Sequence, residues 1–139
     1  MKSHLLIALA LFATVFASAQ TWKKEQIMPT AELAEKIKAN AKDLPIIFNV
    51  GPMENIKSAV FVGRATSATF VDQMRQNLNM VPKTRTVVVY CGCCSFTSCP
   101  NLKPAYDALV KLGYTNAKVL DLPEGIKPDW VAKGYPTEE

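Results

Sequence analysis

The sequence predicts an α/β domain built on a mainly parallel central sheet flanked by helices. Three observations carry that prediction. Ile46-Ile47-Phe48-Asn49-Val50 is almost continuously apolar, the pattern of a strand covered on both faces, and shorter apolar runs recur at 59–62, 86–90 and 117–120. Between these runs, apolar residues recur at helical spacing. Proline and glycine stand at the junctions, at Pro45, Gly51-Pro52, Gly63, Pro82 and Gly113.

Taken in order, the first helix opens at Pro29-Thr30-Ala31-Glu32-Leu33, with Thr30 as the N-cap and Glu32 in the first turn. Leu33, Ile37, Ala41 and Leu44 fall on one face, directed to the core, and Pro45 ends the helix. A first strand follows at 46–50 and a second at 59–62, stopped by Gly63. Phe70, Val71, Met74 and Leu78 predict a short helix between 67 and 79. Pro82-Lys83-Thr84 then turns the chain into the central strand at 86–90. Leu102, Ala105, Tyr106, Leu109 and Leu112 predict the next helix, with Gly113 just past its end. Pro100 and Pro104 are compatible with that helix only at or before its first turn. Residues 117–120 form the last strand, Pro123-Glu124-Gly125 a turn, and 129–133 a short helix ending at Gly134.

The N-terminus has the form of a cleavable secretory signal. Lys2 is followed by an apolar run from Leu5 to Phe16 and by Ala17-Ser18-Ala19, so residues 1–19 are expected to be removed by a cut between Ala19 and Gln20. The run is shorter than the roughly 20 residues of a membrane span, and no cysteine follows the cut, so neither an anchor nor a lipoprotein is indicated. A periplasmic or secreted protein without membrane attachment is expected, with residues 20–139 as one domain. No internal repeat or low-complexity linker divides it.

Composition excludes several chemistries. The formal net charge is +4 and Lys23-Lys24 is an isolated basic doublet, which is no nucleic-acid footprint. The single histidine, His4, lies in the signal, so the mature chain can hold no Ser-His-Asp or Cys-His arrangement and no histidine metal site.

All four cysteines, Cys91, Cys93, Cys94 and Cys99, lie in one loop between the central strand and the following helix. In parallel sheets reactive groups collect at the carboxyl ends of strands, and a helix N-terminus stabilises a thiolate. Cys91, at the strand exit, is the first candidate nucleophile. Three rival uses remain open. Cys91 and Cys94 form a C-x-x-C, which would suit a thiol-disulfide oxidoreductase, although Pro100 and Pro104 start the helix well after the motif. The four thiols have the count, but not the spacing, of a tetrahedral site for a soft metal ion. Structural disulfides in an exported protein are the third use.

The second half of the chain resembles a single-domain rhodanese. The likeness rests on Val87-Val88-Val89-Tyr90-Cys91, on 108–114, on 119–126 and on Trp130-Val131-Ala132-Lys133-Gly134-Tyr135-Pro136, which is similar to the family's W-x-x-x-G-x-P ending. The first half matches less closely: Thr30 to Ile37 is similar to the family's opening helix and Pro45 to Val50 to its first core strand, but Asn49-Val50-Gly51 stands where an Asp-x-Arg is usual, and the Gly-His-Ile segment is missing. The loop after Cys91 is longer than usual and contains no arginine, which argues against the phosphate chemistry of related phosphatases. The resemblance implies a three-layer rhodanese-like domain and sulfur transfer from a small donor such as thiosulfate to a thiol or cyanide, through a persulfide on Cys91 and without a cofactor or metal. It implies further that backbone N–H groups of Gly92, Ser95, Phe96, Thr97 and Ser98 cradle the sulfur anion. Lys103 would supply part of the missing arginine's charge, and Cys93, Cys94 and Cys99 would be accessory thiols. Whether Cys91 or Cys94 carries the sulfur stays open, as does oligomeric state. Trp130 and Tyr135 are expected to fasten the tail, Tyr90 to lie in the core, and Asp121 and Glu124 to be solvated.

Overall fold

The computed structural model describes residues 19–138, so the expected signal segment, apart from Ala19, lies outside the described residues. Five strands form one sheet: β1 (Ile27–Met28), β2 (Ile46–Asn49), β3 (Ala59–Phe61), β4 (Val87–Tyr90) and β5 (Ala117–Leu120). Their order is β1-β5-β4-β2-β3, and every neighbouring pair is parallel. β4 is the middle strand, with Val87 opposite Ile46 on one side and Ala117 on the other. All four of its residues are buried, which explains its unbroken apolar character.

Alternation along β4 divides the core into two layers. Val87, Val89 and then Cys91 point into a cluster with Phe48, Phe70, Met74, Leu102 and Leu109. This is the layer of α2 (Phe70–Asn77) and α3 (Leu102–Lys111). Val88 and Tyr90 point the opposite way, among Leu33, Ile37, Ile126 and Trp130. α1 (Thr30–Lys38) and α4 (Ile126–Asp129) supply that second layer.

The helices differ from expectation mainly at their ends. Thr30 is the first helical residue rather than the N-cap; Pro29 holds the cap position and no side chain bonds to the helix end. α1 stops at Lys38, well before Pro45. Asn40 adopts a left-handed conformation (φ 47°), and Asn40 and Ala41 return their N–H groups to Ile37 and Lys36 at 3.1 and 2.9 Å, a closing turn in which asparagine can replace glycine. Ala41 and Leu44 therefore lie in the following loop, where Leu44 still packs at the core edge. α3 ends in the same way, with Gly113 donating to Val110 at 2.9 Å and Tyr114 to Leu109 at 3.0 Å. Val71, one of the apolar residues from which this helix was expected, is exposed.

Two features were missed. β1 lies in the stretch that reads as a polar lead-in, and a two-residue strand leaves no periodic signal; it pairs Ile27 and Met28 with Val119 and Leu120. The final helix begins at Ile126 rather than Asp129, because Asp129 Oδ2 accepts the N–H groups of Glu124 and Gly125 at 2.7 and 2.9 Å and so fixes the turn before it. A 3₁₀ turn at Val131–Lys133 follows. Trp130 is fully buried, donates Nε1–H to the Pro136 carbonyl at 2.9 Å and meets the Tyr135 ring edge-on at 5.1 Å. Among the described residues no helix is long and apolar enough to cross a membrane.

Tyr90, the last residue of β4, ties the loop after β2 to the central strand. Its hydroxyl accepts the Ile56 N–H at 2.9 Å and donates to the Glu54 carbonyl at 3.1 Å, while burial pushes the phenol pKa far above its usual range. Tyr90→Phe strands a buried N–H and is expected to lower stability by about 1–3 kcal/mol, measured by urea unfolding.

Candidate functional site

The site is assembled where β4 ends. Cys91 follows Tyr90 directly and is 1% exposed. The loop after β2 lies against it and is shaped by Asn49. Asn49 Nδ2 donates to the Met53 carbonyl and to Asn55 Oδ1, each at 3.0 Å, and its Oδ1 accepts the Gly51 N–H at 3.0 Å. This buried amide makes a tight turn where the sequence departs from Asp-x-Arg. The turn brings Gly51 so close that a Cβ there would stand 2.2 Å from the Cys91 carbonyl oxygen and 2.6 Å from Cys91 Sγ. Only glycine fits.

After Cys91 the chain reverses at Gly92, whose φ of 78° favours glycine. The Gly92 carbonyl accepts the Ile126 N–H at 2.9 Å, so the start of α4 supports this bend. The reversal folds Cys93 back over Cys91, with the two Sγ atoms 3.2 Å apart. Cys94 Sγ lies 3.3 Å from Cys93 Sγ. The sulfurs of Cys91, Cys93 and Cys99 all lie within 4.8 Å of one another. Asn101, the residue before α3, turns its Nδ2 to Cys91 Sγ at 3.9 Å rather than capping the helix. All four cysteines are free thiols.

This arrangement favours one negative charge on Cys91. Hydrogen bonding from Cys99, opposed by burial and aided by the Cys93 thiol, the Cys93 N–H and Asn101, lowers the Cys91 pKa to about 5. Burial, followed by the neighbouring sulfurs Cys91 and Cys94, pushes Cys93 up to about 12. Cys99, whose hydrogen bond serves the Cys91 anion, is pushed up as well. These opposed shifts favour the anion on Cys91 and the thiol form of Cys93 and Cys99.

Three of the five N–H groups expected to form the cradle, those of Phe96, Thr97 and Ser98, have partners inside the protein. Phe96 N–H donates to the Leu122 carbonyl at 3.0 Å, Ser98 N–H to the Ser95 carbonyl at 3.0 Å, and Thr97 N–H to Ser95 Oγ at 3.3 Å. These groups are committed within the fold, because the lengthened loop turns on Ser95 instead of wrapping a ligand. The backbone donor to the Cys91 sulfur is Cys93, not the 95–98 segment. Lys103 Nζ binds both carboxylate oxygens of Asp107 at 2.6 and 2.8 Å. That pair borders a surface depression with Phe70, Arg75 and Leu112.

The N-terminal residues, unassigned from the sequence, reach the loop. Gln20 donates its backbone N–H to the Thr97 carbonyl at 2.6 Å and its Nε2 to the Cys99 carbonyl at 2.8 Å. Trp22 donates Nε1–H to the Phe96 carbonyl at 3.1 Å and packs edge-on against Tyr106 at 5.3 Å. Nothing in residues 20–22 signals this role. Asn101 was more accessible to sequence reasoning, since a polar residue between Pro100 and a helix is placed at a helix entry. Regarding the rival uses, the sulfur in contact with Cys91 is that of Cys93 rather than Cys94, and the sulfurs of Cys91, Cys93 and Cys99 converge as a set of three potential metal ligands.

Solved structures that resemble this architecture include the following two. The rhodanese-like domain of the Anabaena sp. Alr3790 protein superimposes with a TM-score of 0.55 at 18% identity, covering 81% of this chain and 78% of that domain. The BH2092 protein of Bacillus halodurans gives a TM-score of 0.57 at 19% identity, covering 87% of this chain and 77% of its own. No protein-family model matches the chain, and no curated protein matches it. The fold is rhodanese-like.

Gly51→Ala tests the packing at the site. Relief of the overlap with Cys91 requires the loop to move, at a cost of about 1–3 kcal/mol or more. The expected result is a lower urea midpoint; an unchanged midpoint would contradict the close approach.

Proposed function

We propose that this protein is an exported sulfurtransferase in which Cys91 takes sulfane sulfur from a small donor such as thiosulfate and passes it to a thiol or cyanide. The observation that carries the reading is a buried thiol at the carboxyl end of the central strand, surrounded by hydrogen-bond donors that favour its anion. A thiolate, not a thiol, is the attacking species in sulfur exchange. The rhodanese-like fold supports the same reading.

In the loading step the Cys91 thiolate attacks the outer sulfur of thiosulfate. A bond forms between Cys91 Sγ and that sulfur, the bond between the two donor sulfurs breaks, and sulfite leaves with the electron pair. The acceptor then attacks the outer sulfur of the persulfide and returns Cys91 as a thiolate. Residues 92–98 contain no arginine, so stabilisation of the anion falls to the neighbouring thiols, the Cys93 N–H and Asn101. Export rests on the signal pattern of residues 1–19.

Reduced, metal-free protein incubated with thiosulfate is expected to gain the mass of one sulfur atom, and Cys91→Ser to gain none. A wild-type protein that gains no sulfur would overturn the reading. The loading rate is expected to follow the thiolate population. Because the Cys91 pKa lies below its ordinary value, the rate should be level above it and fall as pH drops through about 5, as read by stopped-time mass spectrometry.

A further inference from the structure

Cys91 is closed off from solvent, yet a sulfur it carries has to reach an acceptor. Its side chain lies beneath the Asn49-held turn at Gly51 and beneath Cys93, and the residue is 1% exposed. Cys93, by contrast, is exposed. The Gly92 bend folds Cys93 back so that its sulfur is in contact with Cys91 Sγ while its other side faces water. Cys99 is buried beside the same sulfur, and its backbone carbonyl is held by Gln20. Of the two thiols adjoining Cys91, one is fixed in the core and the other stands at the surface.

We propose that Cys93 is a second catalytic residue, a relay thiol that takes the outer sulfur from the Cys91 persulfide and presents it to an external thiol acceptor. This inference rests on the sulfurtransferase reading above. Loading leaves the outer sulfur on Cys91 as an anion, and in the relay step the Cys93 thiol first passes its proton to that sulfur, giving Cys91–S–SH. The Cys93 sulfur then attacks the outer sulfur of Cys91–S–SH. The bond between Cys91 Sγ and the outer sulfur breaks, the bond between the outer sulfur and Cys93 Sγ forms, and the electron pair remains on Cys91. The products are the Cys91 thiolate and Cys93–S–SH, with no net oxidation and no other reactant.

The direction of transfer follows from the surroundings of the two sulfurs. Exchange is faster when the leaving thiol has the lower pKa, and Cys91 is the sulfur whose anion is held by Cys99 and Asn101. Cys93, whose pKa is raised first by burial and then by the neighbouring sulfurs of Cys91 and Cys94, is the poorer leaving group of the two.

Movement of Cys93 is built into the step. The 3.2 Å between the two sulfurs leaves no room for another sulfur atom, since a sulfur–sulfur bond alone is about 2 Å long. Cys93 must swing outward for the donor to load Cys91 and return to collect the product. An exposed side chain changes rotamer in about picoseconds to nanoseconds, so the same thiol opens the site and empties it. The acceptor class is a thiol on a molecule too bulky to enter beside Gly51, such as a cysteine at the surface of another protein.

The test is peptide mapping by mass spectrometry after one equivalent of thiosulfate, with persulfides trapped by alkylation at successive times, in wild type, Cys91→Ser and Cys93→Ser. The relay predicts sulfur appearing on Cys91 first and then on Cys93. In Cys93→Ser, sulfur should stay on Cys91, and its release to an added protein thiol should slow at least tenfold. Wild-type sulfur that remains on Cys91 or moves to Cys94 or Cys99, or release from Cys93→Ser at the wild-type rate, would overturn the relay and leave the sulfurtransferase reading standing. Absence of sulfur from every sample would overturn both.

Discussion

Burying a sulfur anion at the end of a central strand carries a desolvation cost, and the hydrogen bonds given to Cys91 by Cys99, Cys93 and Asn101 offset it. Much of the structure around the strand end serves that balance. Asn49 sets the turn that closes over the sulfur, Gly92 returns Cys93 to it, and α4 holds the Gly92 carbonyl. Gln20 and Trp22 hold the far side of the loop through the carbonyls of Phe96, Thr97 and Cys99.

The source of the stabilisation differs from that of a helix-terminus anion site. α3 starts at Leu102, eleven residues beyond Cys91, and the intervening N–H groups of Phe96, Thr97 and Ser98 are bonded inside the loop. Neighbouring thiols take over the donor role. A thiol donates only one weak hydrogen bond, so several are needed, and close-set sulfurs cannot all ionise together. The result is a single anion shared out by geometry: Cys91 is charged, while Cys93 and Cys99 remain protonated. A loop without arginine or histidine can thus create a nucleophile at neutral pH.

The sheet was legible in the sequence because strands buried on both faces leave unbroken apolar runs: β5 occupies 117–120 as read, and β4 differs from its predicted span only at Thr86. What escaped reading had no periodic signature. β1 is two residues long and is defined by its pairing with β5, and α1 is ended by Asn40, whose left-handed turn competes with a helical pattern continuing through Ala41. At the site, the strand exit at Cys91 was readable, whereas the partners of the loop N–H groups depend on contacts such as Phe96 with Leu122 that are distant in sequence. Lys103 is the instructive case. Asp107 lies four residues on, the spacing of a helical ion pair, and that local pattern outweighs a distant role for the charge.

The account turns on whether Cys91 is a thiolate in the folded protein at neutral pH. The direct measurement is an NMR pH titration of protein labelled with ¹³C at the cysteine Cβ atoms, with assignments made by Cys→Ser variants. The Cys91 resonance is predicted to titrate at about 5, with Cys93 and Cys99 unchanged through neutrality. A Cys91 resonance that stays in its thiol position until it titrates in the ordinary range of about 8.5 would contradict the account, because the nucleophile would then be missing under the conditions in which it is required to act.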